Sequence, residues 1–180
     1  MRLHNLLGFL LLAALSFGCK KEAQDTTVTF DVVDTWAAVL DVTAPAGGPL
    51  TLFLPTTRIY SATADSCRRH KTTLEQLRQA TLSQATLTVQ APAGQNFDFV
   101  RQLTWYITSE QGNDRILLAT LPNVPLGATT LTLTPTNAAL LSYLHSDQYF
   151  LTPQLELRQP GQTVARVQLQ LRYQMQADQL

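Results

Sequence analysis

The chain has 180 residues, 45% of them hydrophobic and 14% charged, with 13 basic residues against 13 acidic ones and a formal net charge of zero. That length suits one domain behind a leader, large enough to bury roughly 70% of its unfolded surface without metal or disulfide staples. The neutral balance removes any electrostatic reason to seek nucleic acid.

The first 19 residues read MRLHNLLGFLLLAALSFGC. Arg2 and the amino terminus form a short positive start, and residues 6–17 are an almost unbroken apolar run. Such a run has the length of a signal-peptide core and is shorter than the ~20 residues that cross a bilayer. Ser16, Phe17 and Gly18 lead to Cys19, and polar Lys20, Lys21 and Glu22 follow at once. A small residue before a cysteine at the end of an apolar run resembles a lipobox. Phe17 stands where a small residue is usual, and Leu15 lies one step further out than usual. The resemblance implies cleavage before Cys19 and acylation of that cysteine. Each buried CH₂ contributes roughly 0.8 kcal/mol and a single chain binds only marginally, so more than one chain makes a lasting anchor. The expected organisation is a signal peptide over residues 1–18, a lipidated cysteine and tether over 19–27, and one domain over 28–180. With Cys19 acylated, Cys67 has no partner for an internal disulfide.

From Val28 onward the dominant pattern is alternation with period two. Val28, Phe30 and Val32 make one row, and Trp36, Ala38, Leu40 and Val42 a second. A Pro- and Gly-rich turn over residues 44–49 precedes a third row, Leu50, Leu52 and Leu54, which Pro55 stops. Residues 55–71 lack a pattern. Thr72 and Glu75 have capping-box spacing and Leu74 and Leu77 would share a face, which predicts a short helix ending near Thr81. Leu87, Val89 and Ala91 begin the next row. Phe97, Phe99, Arg101, Leu103, Trp105 and Ile107 share one face of a long strand, with Arg101 at a bend or rim. Val100, Gln102, Thr104, Tyr106 and Thr108 take the other face. Residues 116–121 are apolar on both faces, which predicts a central strand. Leu131 and Leu133 lie in a Thr-rich strand, and a second short helix is expected from near Thr136 to near Ser146. Tyr149, Leu151, Pro153, Leu155 and Leu157 face one way. In the last strand Val167, Leu169, Leu171, Tyr173 and Met175 point inward, and Arg166, Gln168, Gln170, Arg172 and Gln174 point outward. A slip of one residue would bury the glutamines and arginines, so the register is strongly specified. The reading is all-β: an antiparallel β-sandwich of Greek-key type, with about nine strands and two short connecting helices. A closed barrel is the alternative.

No catalytic constellation stands out. Cys67 and His70 are spaced like a metal pair, but a zinc site needs three or four ligands and Arg68 and Arg69 would repel a cation. Ser142, His145 and Asp147 crowd one helix end, whereas a triad gathers residues from distant segments. The acids are scattered, and no phosphate-cradling glycine motif occurs. No metal or cofactor is therefore expected. Trp36 and Trp105 fall in inward rows and read as core. Tyr106 and Phe150 fall on the opposite faces. With Arg166 and Arg172 of the last strand they form the candidate contact surface for a polysaccharide or an envelope protein.

Residues 74–177 resemble a set of small lipoproteins from Bacteroidota-type bacteria. The carrying stretches are TLSQATLTVQAPAGQNFDFVRQLTWYITS (81–109), RILLATLPNVP and TNAALLSYLHSDQYFLTPQLELR. The resemblance implies a β-sandwich behind a lipidated cysteine and brings no activity with it. Some such proteins reach the cell surface through an acidic stretch after the cysteine, which residues 20–25 match in part, so the periplasmic and surface sides both stay open. The expectation is a non-enzymatic binding or assembly module anchored through Cys19 in the outer membrane. The alternatives are an envelope hydrolase acting on glycan or peptide, and a carrier of an apolar ligand between the sheets.

Overall fold

A computed structural model describes residues 27–44, 46–47 and 50–179. The leader, Cys19 and nearly all of the expected tether lie outside the described residues. Within them the strands are β1 (Thr27–Ala44), β2 (Thr51–Phe53), β3 (Thr57–Tyr60), β4 (Leu77–Ala91), β5 (Val100–Thr108), β6 (Ile116–Leu121), β7 (Thr130–Pro135), β8 (Gln148–Leu157) and β9 (Gly161–Asp178). Two short helices join them, α1 (Thr63–Arg69) and α2 (Leu141–Leu144). Every pairing is antiparallel. The all-β reading holds. The strands form one nine-stranded sheet in the order β1-β9-β4-β7-β6-β5-β8-β2, with β3 also paired to β8.

The sheet curls because its two halves meet only through β7. That strand pairs with β4 on one side, and with β6 through Ala119↔Pro135 and Thr120↔Thr134 on the other. Curling brings the apolar faces together. Trp36 on β1 meets Trp105 on β5 edge to face, ring centroids 6.2 Å apart. Tyr149 on β8 meets Tyr173 on β9 in the same way at 6.1 Å. Fully burying a large side chain contributes about 1.5–3 kcal/mol, so this closure supplies the main driving force.

The β1–β9 ladder shows why alternation reads well here. It runs without a bulge from Thr27↔Asp178 to Ala44↔Gly161. On β9, Val167, Leu169, Leu171, Tyr173 and Met175 are buried and the residues between them are exposed. The first two rows of the sequence are one strand, since Val33, Asp34 and Thr35 carry no breaker and Asp34 keeps the inward phase.

The helix expected to end near Thr81 is instead a 3₁₀ turn, Leu74–Gln76, leading straight into β4. The reason is a pair of bulges. Register shifts between Leu77 and Gln79 and between Leu82 and Gln84 each insert a residue against β9. The inward set becomes Leu77, Ala80, Leu82, Ala85 and Leu87. A spacing of three then two imitates a helical face, although each residue lies on a strand. The helix lies earlier, in the segment without a pattern: α1 buries Thr63, Ser66 and Cys67. The second expected helix shortens to the single turn α2, where Tyr143 and Leu144 are buried.

Two further corrections have the same origin. Val100 was expected on the outer face but is buried, because a bulge between Val100 and Gln102 turns Arg101 outward. Arg101 pairs there with Glu156 at 3.2 Å. Strand β6 is central, between β5 and β7, yet its outer face is not covered: Leu117 is 39% exposed. Among the described residues nothing layers over its convex side at that point.

Candidate functional site

The convex face of the half built from β5, β8, β2 and β3 holds the site. Alternation places Tyr106 and Thr108 of β5 and Phe150 and Thr152 of β8 on the face opposite Trp105, Ile107, Tyr149 and Leu151; there Tyr106 and Phe150 are half-buried and Thr108 and Thr152 buried. The register sets Tyr106 beside Thr152 and Thr108 beside Phe150. On the other side of β8, Phe150 faces Arg58 of β3. Tyr106 and Phe150 are thus brought onto one face, as their phases implied.

Arginines lie across these rings. The Arg115 guanidinium carbon is 4.7 Å from the Tyr106 ring centroid and 5.7 Å from that of Phe53. Arg58 lies 5.7 Å from the centre of Phe150. A guanidinium over an aromatic face gains roughly 0.5–1 kcal/mol at an exposed site and loses rotamer freedom, so Arg115 is held in place before anything binds. The Tyr106 hydroxyl donates to Gln154 Oε1 at 3.2 Å, and the Thr56 and Thr152 hydroxyls are 2.8 Å apart.

Between these side chains lies an open groove of about 530 Å³. Its floor carries Phe150 and the hydroxyls of Thr108 and Thr152, with Thr56 at one side. The β5–β6 turn supplies the other side through Ser109, Gly112, Asn113 and Arg115. The turn is tied down locally. Asp114 Oδ1 accepts the Ser109 N–H at 2.9 Å, and the Ser109 carbonyl accepts the Gly112 N–H at 3.1 Å. Burial works to raise the Asp114 carboxyl, but hydrogen bonds from the Ser109 N–H and hydroxyl outweigh it and hold the group below the usual carboxylate range. Gly112 has φ +77°, and a Cβ there would meet no atom within 4 Å. Gly112→Ala is therefore expected to cost about 1–2 kcal/mol from backbone strain alone, with the groove otherwise intact; chemical denaturation measures it.

Arg166 and Arg172 do not join this site. Both lie on β9, on the convex face of the other half, and Arg172 pairs with Asp31 at 3.0 Å. That face is polar, with Gln90 donating to Gln168 at 3.1 Å. The four residues read together from sequence therefore divide between two surfaces. Arg115, Arg58 and Phe53 went unread because their neighbours come from distant strands. The one available signal was the Thr-and-aromatic outer phase shared by β5 and β8.

A second polar cluster is closed inside the core. Asp34 is 3% exposed; its Oδ1 accepts the Ala62 N–H and its Oδ2 the Tyr149 hydroxyl, each at 2.9 Å. Tyr173 donates in turn to the Tyr149 oxygen at 2.9 Å. Burial raises the Asp34 carboxyl above its ordinary range, against the lowering effect of those two hydrogen bonds. The chain of bonds links β1, β8, β9 and the start of α1, so its evident work is to join the two halves of the sheet.

The pair Cys67 and His70 shows no ligand geometry. Cys67 is buried, and His70 stacks on Phe30 with ring centroids 4.5 Å apart. Among the described residues no three His, Cys, Asp or Glu side chains gather as a metal ion would need. Among them also, no helix is long and apolar enough to cross a membrane.

No protein family matches the chain, and no curated protein matches it. Solved structures similar to it at low identity include the following two. One is described as a "putative secreted protein from Eubacterium rectale", 12% identical, covering 83% of this chain and 39% of that one, with a TM-score of 0.37. This chain thus spans about two fifths of that protein's length. The other is the decameric BFDV capsid protein, 11% identical, covering 83% of this chain and 99% of that one, with a TM-score of 0.37.

Proposed function

We propose that this is an exported protein held at the outer membrane by acyl chains on Cys19, whose body is a non-enzymatic binding module of Greek-key sandwich type. The connections β1–β2, β4–β5 and β8–β9 each pass from one half of the curled sheet to the other, which supports the Greek-key description. The observation that carries the function is the groove over Phe150. Its volume falls in the ~300–1,000 Å³ range of small-molecule sites. Its lining offers an aromatic ring, hydroxyls, an amide and a held guanidinium, which are groups that orient a ligand. The lining includes no carboxylate, imidazole or thiol to carry a proton, which favours binding over hydrolysis. The leader ending in Cys19 supplies the address.

Two measurements test this reading. Cys19→Ser should move the protein from the membrane pellet to the soluble fraction; continued sedimentation would remove the anchor. The full lipoprotein, purified in detergent, should retain polysaccharide from solubilised envelopes, assayed as total carbohydrate. The double variant Phe150→Ala/Arg115→Met should retain little of it. Equal retention by the variant would remove the groove as the site, and release of shortened chains would restore the hydrolase.

A further inference from the structure

We infer that the groove takes an acidic saccharide, with a sugar carboxylate on Arg115 and the ring of that sugar or its neighbour against Phe150. This rests on the binding-module reading above and names its ligand class. The first argument is charge. The Arg115 guanidinium lies over the Tyr106 and Phe53 rings, and contact with aromatic faces uses none of its five N–H donors. Among the described residues Arg115 forms no ion pair, unlike Arg68, Arg78, Arg101 and Arg172 and like Arg58 beside Phe150. The acids of the adjoining turn are engaged elsewhere: Asp114 by the Ser109 N–H, and Glu110 by the Gln148 side chain. The groove thus offers a guanidinium whose natural complement is a carboxylate, which it can bind through two parallel hydrogen bonds.

The second argument is the rest of the lining. Thr108 brings a hydroxyl and Asn113 an amide, while the Thr152 hydroxyl, bonded to Thr56, and the Ser109 hydroxyl, bonded within the turn, keep part of their capacity for the hydroxyls of a sugar. Phe150 adds a ring, one face of which Arg58 covers, and its remaining surface in the groove attracts the polarised C–H groups of a pyranose. An acidic peptide would use Arg115 too, but it would leave most of these hydroxyls facing apolar side chains or its own satisfied backbone.

Calorimetric titration of the full lipoprotein with trigalacturonate and with neutral galactotriose tests the inference. Trigalacturonate should bind at least about tenfold more tightly, the scale of one charge-assisted hydrogen-bonded pair. Arg115→Met keeps the aliphatic stem and should erase that preference, bringing trigalacturonate down to the affinity of galactotriose for the same variant. Phe150→Ala should weaken both sugars. Unchanged thermal midpoints in the variants confirm that the fold persists. Equal affinity for the two sugars, or a preference that survives Arg115→Met, would overturn the inference. If envelope polysaccharide is still retained through the groove while trigalacturonate fails to compete, the ligand class is wrong and the binding site stands. If retention ignores the groove substitutions, the site itself is wrong.

Discussion

Trp105→Ala lowers the unfolding free energy by about 3–5 kcal/mol, the usual cost of deleting a buried aromatic. Trp105 is 2% exposed and sits where the two halves of the sheet close on each other, edge to face with Trp36. Alanine leaves a void on the concave side of β5, and β1 packs on nothing there. The comparison that identifies the cause is Trp105→Phe. The indole Nε1 of Trp105 has no hydrogen-bond partner among the described residues. A buried unsatisfied donor costs about 1–3 kcal/mol, and phenylalanine removes it while keeping most of the ring volume. Trp105→Phe should therefore lose less than half of what alanine loses. Urea denaturation of the three proteins measures both differences. An equal loss for Phe and Ala would mean that the indole nitrogen is satisfied in solution.

The second large effect belongs to the buried chain Tyr173–Tyr149–Asp34. Tyr149→Phe removes the donor to Asp34 and the acceptor of the Tyr173 hydroxyl, and should cost about 2–4 kcal/mol. Asp34 adds a pH signature. Burial raises its folded pKa above the ~3.9 of an exposed aspartate. Between those two values the folded state holds more protons than the unfolded state, so stability falls as pH rises through the folded pKa. Glu75 and Asp114 act with the opposite sign. Glu75 is lowered chiefly by a hydrogen bond from the Thr73 side chain, and Asp114 is lowered by its bonds to Ser109. Both sit near the surface, and their contribution is lost as pH falls through their folded values. At the alkaline end burial keeps both tyrosine phenols above their ordinary value. Stability should therefore drop again above about pH 10, where unfolded tyrosine ionises. Urea unfolding of the wild type and Asp34→Asn across the acid range should show the wild type losing stability relative to the variant as pH rises. Asp34→Asn should remove that loss and leave the opposite slope of Glu75 and Asp114. A loss with rising pH that survives the substitution would assign it to another group.

How much was legible depended on whether a strand keeps its phase. β9 was read residue by residue, because it lies between β1 and β4, meets β1 without a bulge and has one wet face. β4 was misread at its start, because bulges against β9 altered the spacing of Leu77, Ala80 and Leu82. The outward phases of Tyr106 and Phe150 were legible for the same reason as β9. Their arginine neighbours were not. Arg115 reaches Tyr106 through the β5–β6 turn, and Phe53 joins them only because β2 adds to the far side of β8. Asp34 went unread as a core acid, because it falls between two rows read separately and its partners Ala62 and Tyr149 come from segments far along the chain.

From residues alone came the all-β class, the inward and outward faces of the regular strands, and an expected leader ending at Cys19. These are local properties, written in side-chain alternation and in the length of an apolar run. The tertiary structure alone decided which strands adjoin, where bulges shift the phase, and how the convex face assembles its groove. Those depend on backbone pairings between segments as far apart as Thr27 and Asp178, which no local pattern encodes.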